Sequence, residues 1–297
     1  MIEAPDTSAT TEYEATSYFA AMLDVLGIQD ELRRVDGPFW NEGDVNRAAE
    51  LMRAPVQRIH STRLNIAKMC ELLNVSQQGV PDNAGAVLHT YAFADTVVIY
   101  HALGGKGGTE GPLMRGVQYG LVILSVHMLD SLANGIPLRG AVEVGLGLEM
   151  TGSELAGRVM QSCHELESKL ARTIRIVVGP GLLQMVEQGV ALPQTQSKHY
   201  LAERTLSAEV RTYIRRDPID GLYVLDYLGV AASIAGAQPS FKGTLKRALD
   251  FLVQQEEYWT RAMRLDRAEK YRAALVYFRT VAEASGAMSN TPQSRSA

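Results

Sequence analysis

The sequence predicts an α+β fold whose core elements run β-α-β-β-α-β. Three observations predict it. Short runs dense in apolar, β-branched and aromatic residues, at 18–24, 87–103, 137–150 and 174–178, read as strands. Two longer stretches with apolar residues at helical spacing, 44–74 and 113–133, lie between them. Clusters of glycine, proline and polar residues mark the joins.

Residues 1–16, rich in Thr, Ser and acids, read as a loose leader. The first strand climbs through Tyr-Phe-Ala-Ala-Met-Leu to Asp24 and breaks at Gly27; apolar residues on both faces mark a buried central strand. A polar connection over 30–44 leads to a helix capped by Asp44 and ending near Asn74, with Pro55 placed to kink or divide it. Two short strands then meet in a tight turn at Ala94-Asp95. A glycine-rich stretch, 104–112, lacks the Gly-Lys-Ser/Thr ending of a Walker loop and reads as a connection. The helix over 113–133 is apolar almost all round, as a buried helix is. Its most apolar run carries His127, Asp130 and Asn134, which disfavours a membrane span.

A strand over 137–150, a helix over 152–172, a strand over 174–178 and a short helix over 180–188 follow. Residues 210–228 suggest a hairpin turning at Asp217-Pro-Ile-Asp-Gly221. Residues 245–284 have a helical pattern, and 286–297 read as a disordered tail. The arrangement is ferredoxin-like, with an extra hairpin and a C-terminal helical extension at 240–285. The main domain spans 17–230. Adjacent antiparallel strands would set Asp24 beside Asp95.

Composition narrows the function classes. At 297 residues and 46% hydrophobic, the chain can bury a sizeable core. A formal net charge of −4 argues against a non-specific DNA or RNA binder. Two cysteines, Cys70 and Cys163, are too few for a disulfide framework, and no secretory signal is visible, so the expectation is a soluble cytoplasmic protein. The six histidines show no metal-ligand pair on one helix.

An acid ending a buried strand is costly without a compensating charge, which a divalent cation supplies. The same residues also fit an ordinary Asp-x-x-Gly turn. Two carboxylates converging on a glycine turn suit a pair of hard cations bridging phosphate oxygens, with the Val25 carbonyl as a further ligand and the amides of 26–29 near the phosphates.

Four motifs carry a family resemblance. Asp24-Val-Leu-Gly-Ile-Gln resembles the Asp-Ile-x-Gly-Phe-Thr signature of class III nucleotidyl cyclases. Ala94-Asp95 is similar to their Gly-Asp metal motif, and Arg139-Gly-Ala-Val-Glu-Val-Gly to the strand that follows. Gly157-Arg-Val-Met-Gln-Ser-Cys-His-Glu-Leu-Glu167 matches the frame of their Gly-x-x-Val-Asn-x-Ala-Ala-Arg-Leu helix. The stretches from His164, Arg175, Asp220 and Lys270 look most similar to the bacterial pyrimidine cyclases of Pycsar anti-phage systems.

The resemblance implies conversion of UTP or CTP to a 3′,5′-cyclic monophosphate with two Mn²⁺ or Mg²⁺ ions. It implies a homodimer with composite sites, and a separate effector protein that reads the cyclic nucleotide. Asp24 and Asp95 would be the metal-binding catalytic acids, and Gly27, Ile28, Tyr91, Arg139 and Gln161 would face the substrate. The chain departs from the pattern in three places. Tyr91 stands where purine cyclases carry a base-reading Lys, Gln161 replaces the ribose-orienting Asn, and Glu165 replaces the transition-state Arg. Arg158 and Lys169 are nearby substitutes for that Arg. Glu165 also fits a cyclase-like regulatory or dimerisation module without turnover, and a purine nucleotide cyclase is the third reading.

Overall fold

Strand β1 (Thr16–Val25) is the central strand of the computed structural model, which describes residues 15–35, 41–77, 86–104, 112–150, 154–194, 197–236 and 238–284. It pairs antiparallel with β3 (Thr96–Ala102) on one side and with β4 (Leu138–Met150) on the other. With β2 (His89–Phe93) outside β3, these four strands lie in the order β2-β3-β1-β4. β6 (Ile176–Val178) adds to β4 in parallel, and the hairpin of β7 (Ile214–Arg216) and β8 (Tyr223–Leu225) continues the sheet. β5 (Glu154–Ala156) folds back onto β4. The fold is α+β with a mixed sheet.

The helices are α1 (Ile28–Leu32), α2 (Glu42–Gln77), α3 (Met114–Ala133), α4 (Arg158–Lys169), α5 (Pro180–Val190), α6 (Lys198–Thr212), α7 (Tyr227–Ala235), α8 (Pro239–Arg261) and α9 (Leu265–Ala284). Alternation along β1 divides the core. Phe19, Ala21, Leu23 and Val25 face the main cluster with α3 and the C-terminal helices. Tyr18, Ala20 and Met22 face a smaller cluster with Tyr100, Val159 and Cys163, covered by α4. α3 is apolar all round because the sheet, α6, α7 and α8 surround it.

Several local expectations change. Asn41, whose Oδ1 accepts the Asp44 amide at 2.9 Å, caps α2, and Pro55 sits inside that helix without dividing it. Within the connection expected at 30–44, α1 extends to Leu32 and a 3-10 turn covers Arg33–Val35. The helix expected over 152–172 starts only at Arg158, because β5 and Gly157 at φ +110° precede it.

The hairpin expected over 210–228 has strands of only three residues, since α6 ends at Thr212 and α7 begins at Tyr227. Its turn is as expected, with the Gly221 amide on the Asp217 carbonyl at 2.9 Å. The helical stretch over 245–284 is two helices, broken before Leu265 where Met263 takes φ +56°. These helices share the main core. Tyr277 donates to Asp226 at 2.6 Å and accepts the Leu228 amide at 2.9 Å, which ties α9 to α7. The expected tail and most of the expected leader and glycine-rich connection lie outside the described residues.

Candidate functional site

The alternation that sends Met22 toward α4 also sends Asp24 there, as the last even residue of β1. Its cross-strand partners are Thr96 on β3 and Arg139 on β4. The next residue of β4 is Gly140, where a Cβ would stand 2.4 Å from the Met22 carbonyl. Only glycine permits that approach, and the approach brings Arg139 onto Asp24.

Arg139 donates to Asp24 Oδ2 from Nη2 at 3.0 Å and from Nε at 3.2 Å. Glu167 Oε1, from α4, lies 2.8 Å from the same Nε but off the N–H direction, so that contact is an ion pair rather than a second hydrogen bond. Two buried carboxylate oxygens, Asp24 Oδ1 and Glu167 Oε1, therefore lack a hydrogen-bond donor among the described residues.

Asp95 occupies the two-residue turn Ala94-Asp95 between β2 and β3, with Ala94 at φ +46° and its carbonyl held by Arg63. Asp95 immediately precedes Thr96, the cross-strand partner of Asp24. Burial raises the Asp24 pKa from 3.8 to about 7, and the charge of Asp95 is the next cause; Arg139 opposes both. Glu167 is also raised, by burial first, with Arg139 and His164 opposing and Asp95 adding to the rise.

The Val25 carbonyl belongs to the same end of the strand. Leu26 donates to Pro137 at 2.9 Å and Leu103 to Ser17 at 2.8 Å, so even residues of β1 bond toward β4 and odd ones toward β3. Val25 faces β3 one residue past the last pair, Asp24 with Thr96, on the side of Asp95. The Leu26 amide is thus already engaged, which removes it from the expected phosphate cradle. Gly27, exposed and at φ +88°, turns the chain into α1, while the Ile28 side chain is fully buried and can offer a ligand only its backbone.

The remaining sequence-named residues lie apart from the acids. Tyr91 packs edge-on against Tyr100 and donates to the Leu155 carbonyl at 3.0 Å. Burial pushes its phenol up to about 12, which describes a packed strand aromatic. Gln161 is exposed on α4 and donates to Glu165 at 3.2 Å, and Glu165 stands 4.0 Å from Lys169. No hydrogen bond or ion pair joins this ladder to Asp24 among the described residues. Arg158 is exposed at the start of α4. Both cysteines are buried and their thiols raised, Cys70 to about 12, so neither is a nucleophile.

Glu167 was not singled out from the sequence, although a signal exists. It continues the buried stripe Val159, Cys163, Glu167 at four-residue spacing, and an acid on the apolar face of an amphipathic helix calls for a partner.

Among the described residues no three His, Cys, Asp or Glu side chains are grouped so as to hold a metal ion. The donor set that fits a hard cation is two carboxylates and a carbonyl, Asp24, Asp95 and Val25, with the unsatisfied Asp24 Oδ1 as its buried anchor. No protein-family model, curated protein or solved structure matches this chain.

Proposed function

We propose that the chain is a nucleotidyl cyclase that converts a pyrimidine nucleoside triphosphate, UTP or CTP, to its 3′,5′-cyclic monophosphate. The observation that carries the reading is the pairing of two distant acids. Asp24 keeps a buried, unsatisfied oxygen and feels Asp95 across the end of the sheet. The strand order β2-β3-β1-β4 within the mixed sheet is compatible with a ferredoxin-like core, and it supports the same reading.

In the reaction the ribose 3′-oxygen forms a bond to the α-phosphorus. The bond from that phosphorus to the bridging oxygen breaks, pyrophosphate leaves, and the hydroxyl proton passes to water. Asp24, Asp95 and the Val25 carbonyl would hold Mn²⁺ or Mg²⁺; two such ions, when bound, acidify the hydroxyl and neutralise the leaving pyrophosphate. Asp24, with its pKa near 7, gives up a proton before it can bind a cation at neutral pH. Arg139 holds Asp24 in place, and its Nη1 and Nη2 edge can serve a phosphate once a cation takes over that acid.

Gln161 and Glu165 stand on the exposed side of α4, which suits a homodimer in which each site borrows that helix from a second copy. The pyrimidine preference and a separate anti-phage effector rest on the sequence resemblance alone, and the cytoplasmic location on cysteine usage.

One observation favours the alternative, a silent cyclase-like module. Arg139 already neutralises Asp24 and Glu167, as a permanent structural ion pair would. Incubation with each of the four nucleoside triphosphates and Mn²⁺, with separation of the products, decides between them. Cyclic product from one pyrimidine triphosphate, absent in Asp24→Ala and Asp95→Ala, is expected. Product from purines only would overturn the pyrimidine assignment, and none from any substrate would leave the silent module.

A further inference from the structure

A narrow cavity of about 60 Å³ lies at the edge of the sheet farthest from β2, where the β7–β8 hairpin meets α9. β7 lends Arg215 to its wall, the residue before β6 lends Arg175, and α7 lends its first residue, Tyr227. Three buried polar atoms of these residues have no hydrogen-bond partner among the described residues: the Tyr227 hydroxyl, Arg215 Nε and Arg175 Nε. Each bears the desolvation cost of an unmade hydrogen bond. Tyr227 is 1% exposed and packs edge-on against Tyr277, so a phenylalanine would fill its place without that cost.

The acceptors nearby are already engaged. Asp217 Oδ2 takes Arg175 Nη1 at 3.0 Å, and its Oδ1 takes the Ile219 amide at 3.0 Å. Asp220 takes Arg175 Nη2 at 2.6 Å. Asp226, just past β8, accepts from the Tyr277 hydroxyl at 2.6 Å and from the Gly229 amide at 3.2 Å. Arg215, half-buried, stacks 4.0 Å from the centre of the Tyr277 ring and makes no ion pair among the described residues. Its charge reaches Tyr227: burial raises the pKa of that phenol, and Arg215 is the first cause opposing the rise.

The wall thus offers donors and one uncommitted cation, and lacks an acceptor. A water would have to place its own two hydrogens on oxygens already engaged, whereas a carboxylate only accepts, through about four lone-pair sites. Size agrees. One buried water needs only about 10–15 Å³ and a whole drug-sized ligand about 300 Å³ or more, so the cavity takes one polar group of a larger molecule. The remainder has room beside it. A cleft of about 790 Å³ adjoins the cavity and shares Thr173, Ile219, Ala273 and Val276 with it. Ile219 and Val276 are exposed there, and as many cations as carboxylates line that cleft, so it selects an apolar body without a second charge.

We infer that the cavity and cleft bind a small apolar monocarboxylate, its carboxylate held by Arg215 and the Tyr227 hydroxyl and its hydrocarbon body lying against Ile219 and Val276. The site shares no residue with the acids at the end of β1, and it stands whether or not the chain is a cyclase.

The test titrates the full chain into octanoate that carries an isotopic label at its carboxyl carbon, and follows that resonance by NMR. A saturable shift is expected. Affinity should fall about tenfold in Tyr227→Phe and about tenfold in Arg215→Gln, as for the loss of one charge-assisted hydrogen bond. It should stay unchanged in Arg211→Gln, an exposed arginine outside the cavity. The uncharged octanamide should displace the label only at concentrations at least tenfold above those of unlabelled octanoate.

The Tyr227 hydroxyl makes no bond within the protein, so the melting temperature of Tyr227→Phe should equal or exceed that of the parent, and its weaker binding is not a loss of folding. No saturable shift in the parent would overturn the site. So would unchanged affinity in Tyr227→Phe or Arg215→Gln, or displacement by octanamide as readily as by octanoate.

Discussion

Asp24→Asn tests whether the Asp24 carboxylate is held against its own stability. The folded carboxyl keeps its proton to about pH 7, while in the unfolded chain it releases it near 3.8. Between those values folding takes up a proton, so stability falls as pH rises, and above pH 7 the loss is complete. Each tenfold in proton affinity is worth about 1.4 kcal/mol, so the ionised form costs about 4 kcal/mol at pH 8. The Asp24 side chain is only 10% exposed, so solvent screening discounts this little.

Asparagine resembles the protonated acid in shape and keeps an acceptor for Arg139. Allowing for local relaxation, Asp24→Asn should gain about 2–4 kcal/mol at pH 8, or roughly 5–10 °C in Tm. The gain should shrink toward zero near pH 4. The assay is urea and thermal unfolding of both proteins from pH 4 to pH 8, with and without Mn²⁺. Mn²⁺ should stabilise the parent at pH 8 and leave Asp24→Asn unmoved. An Asp24→Asn protein less stable than the parent at every pH, with no response of the parent to Mn²⁺, would refute the reasoning. It would make the Arg139 pair a structural tie.

Three further outcomes follow from the same geometry. Asp95→Asn removes the second cause of the raised Asp24 pKa, so an NMR titration of the Asp24 carboxyl should place its midpoint below about 7. Ala94→Gly relieves a left-handed residue in the β2–β3 turn and should stabilise by about 0.5–1 kcal/mol in urea, after the entropy glycine adds to the unfolded chain. Glu203 accepts the Met114 amide through both oxygens at 3.2 Å and so caps α3 from α6; Glu203→Ala should cost about 1–2 kcal/mol and Glu203→Gln less, by the same measurement.

Local pattern carried far in this chain. The β-branched and aromatic runs marked β1, β2, β3 and β4, the turn at Ala94-Asp95 was legible as the break between two of them, and α3 declared itself by apolar residues on every face. The side-by-side placement of Asp24 and Asp95 followed from the order of those elements. Where side chains depart from their usual surroundings, local pattern failed. α6 buries Glu203 and Ser207 on the face where apolar residues announce a helix, and the expected hairpin ran on to Leu228, which took the first two residues of α7 as strand because Tyr227 and Leu228 suit either form. The break at Met263 has no glycine or proline to mark it.

What the sequence determined by itself was the course of β1, β2, β3, β4 and β6, since side-chain alternation and propensity act over neighbours a few positions apart. The tertiary structure alone decided that Arg139 bridges Asp24 and Glu167, and that Lys270 and Arg267 come round to the turn at Gly27. In the first case Arg139 meets an acid 115 positions away, and the second case joins whole layers of the fold. They depend on how closely β4 can approach β1 at Gly140, and on the α8–α9 hairpin docking against α3. Packing of that kind is a property of the closed core, which no local stretch of chain contains.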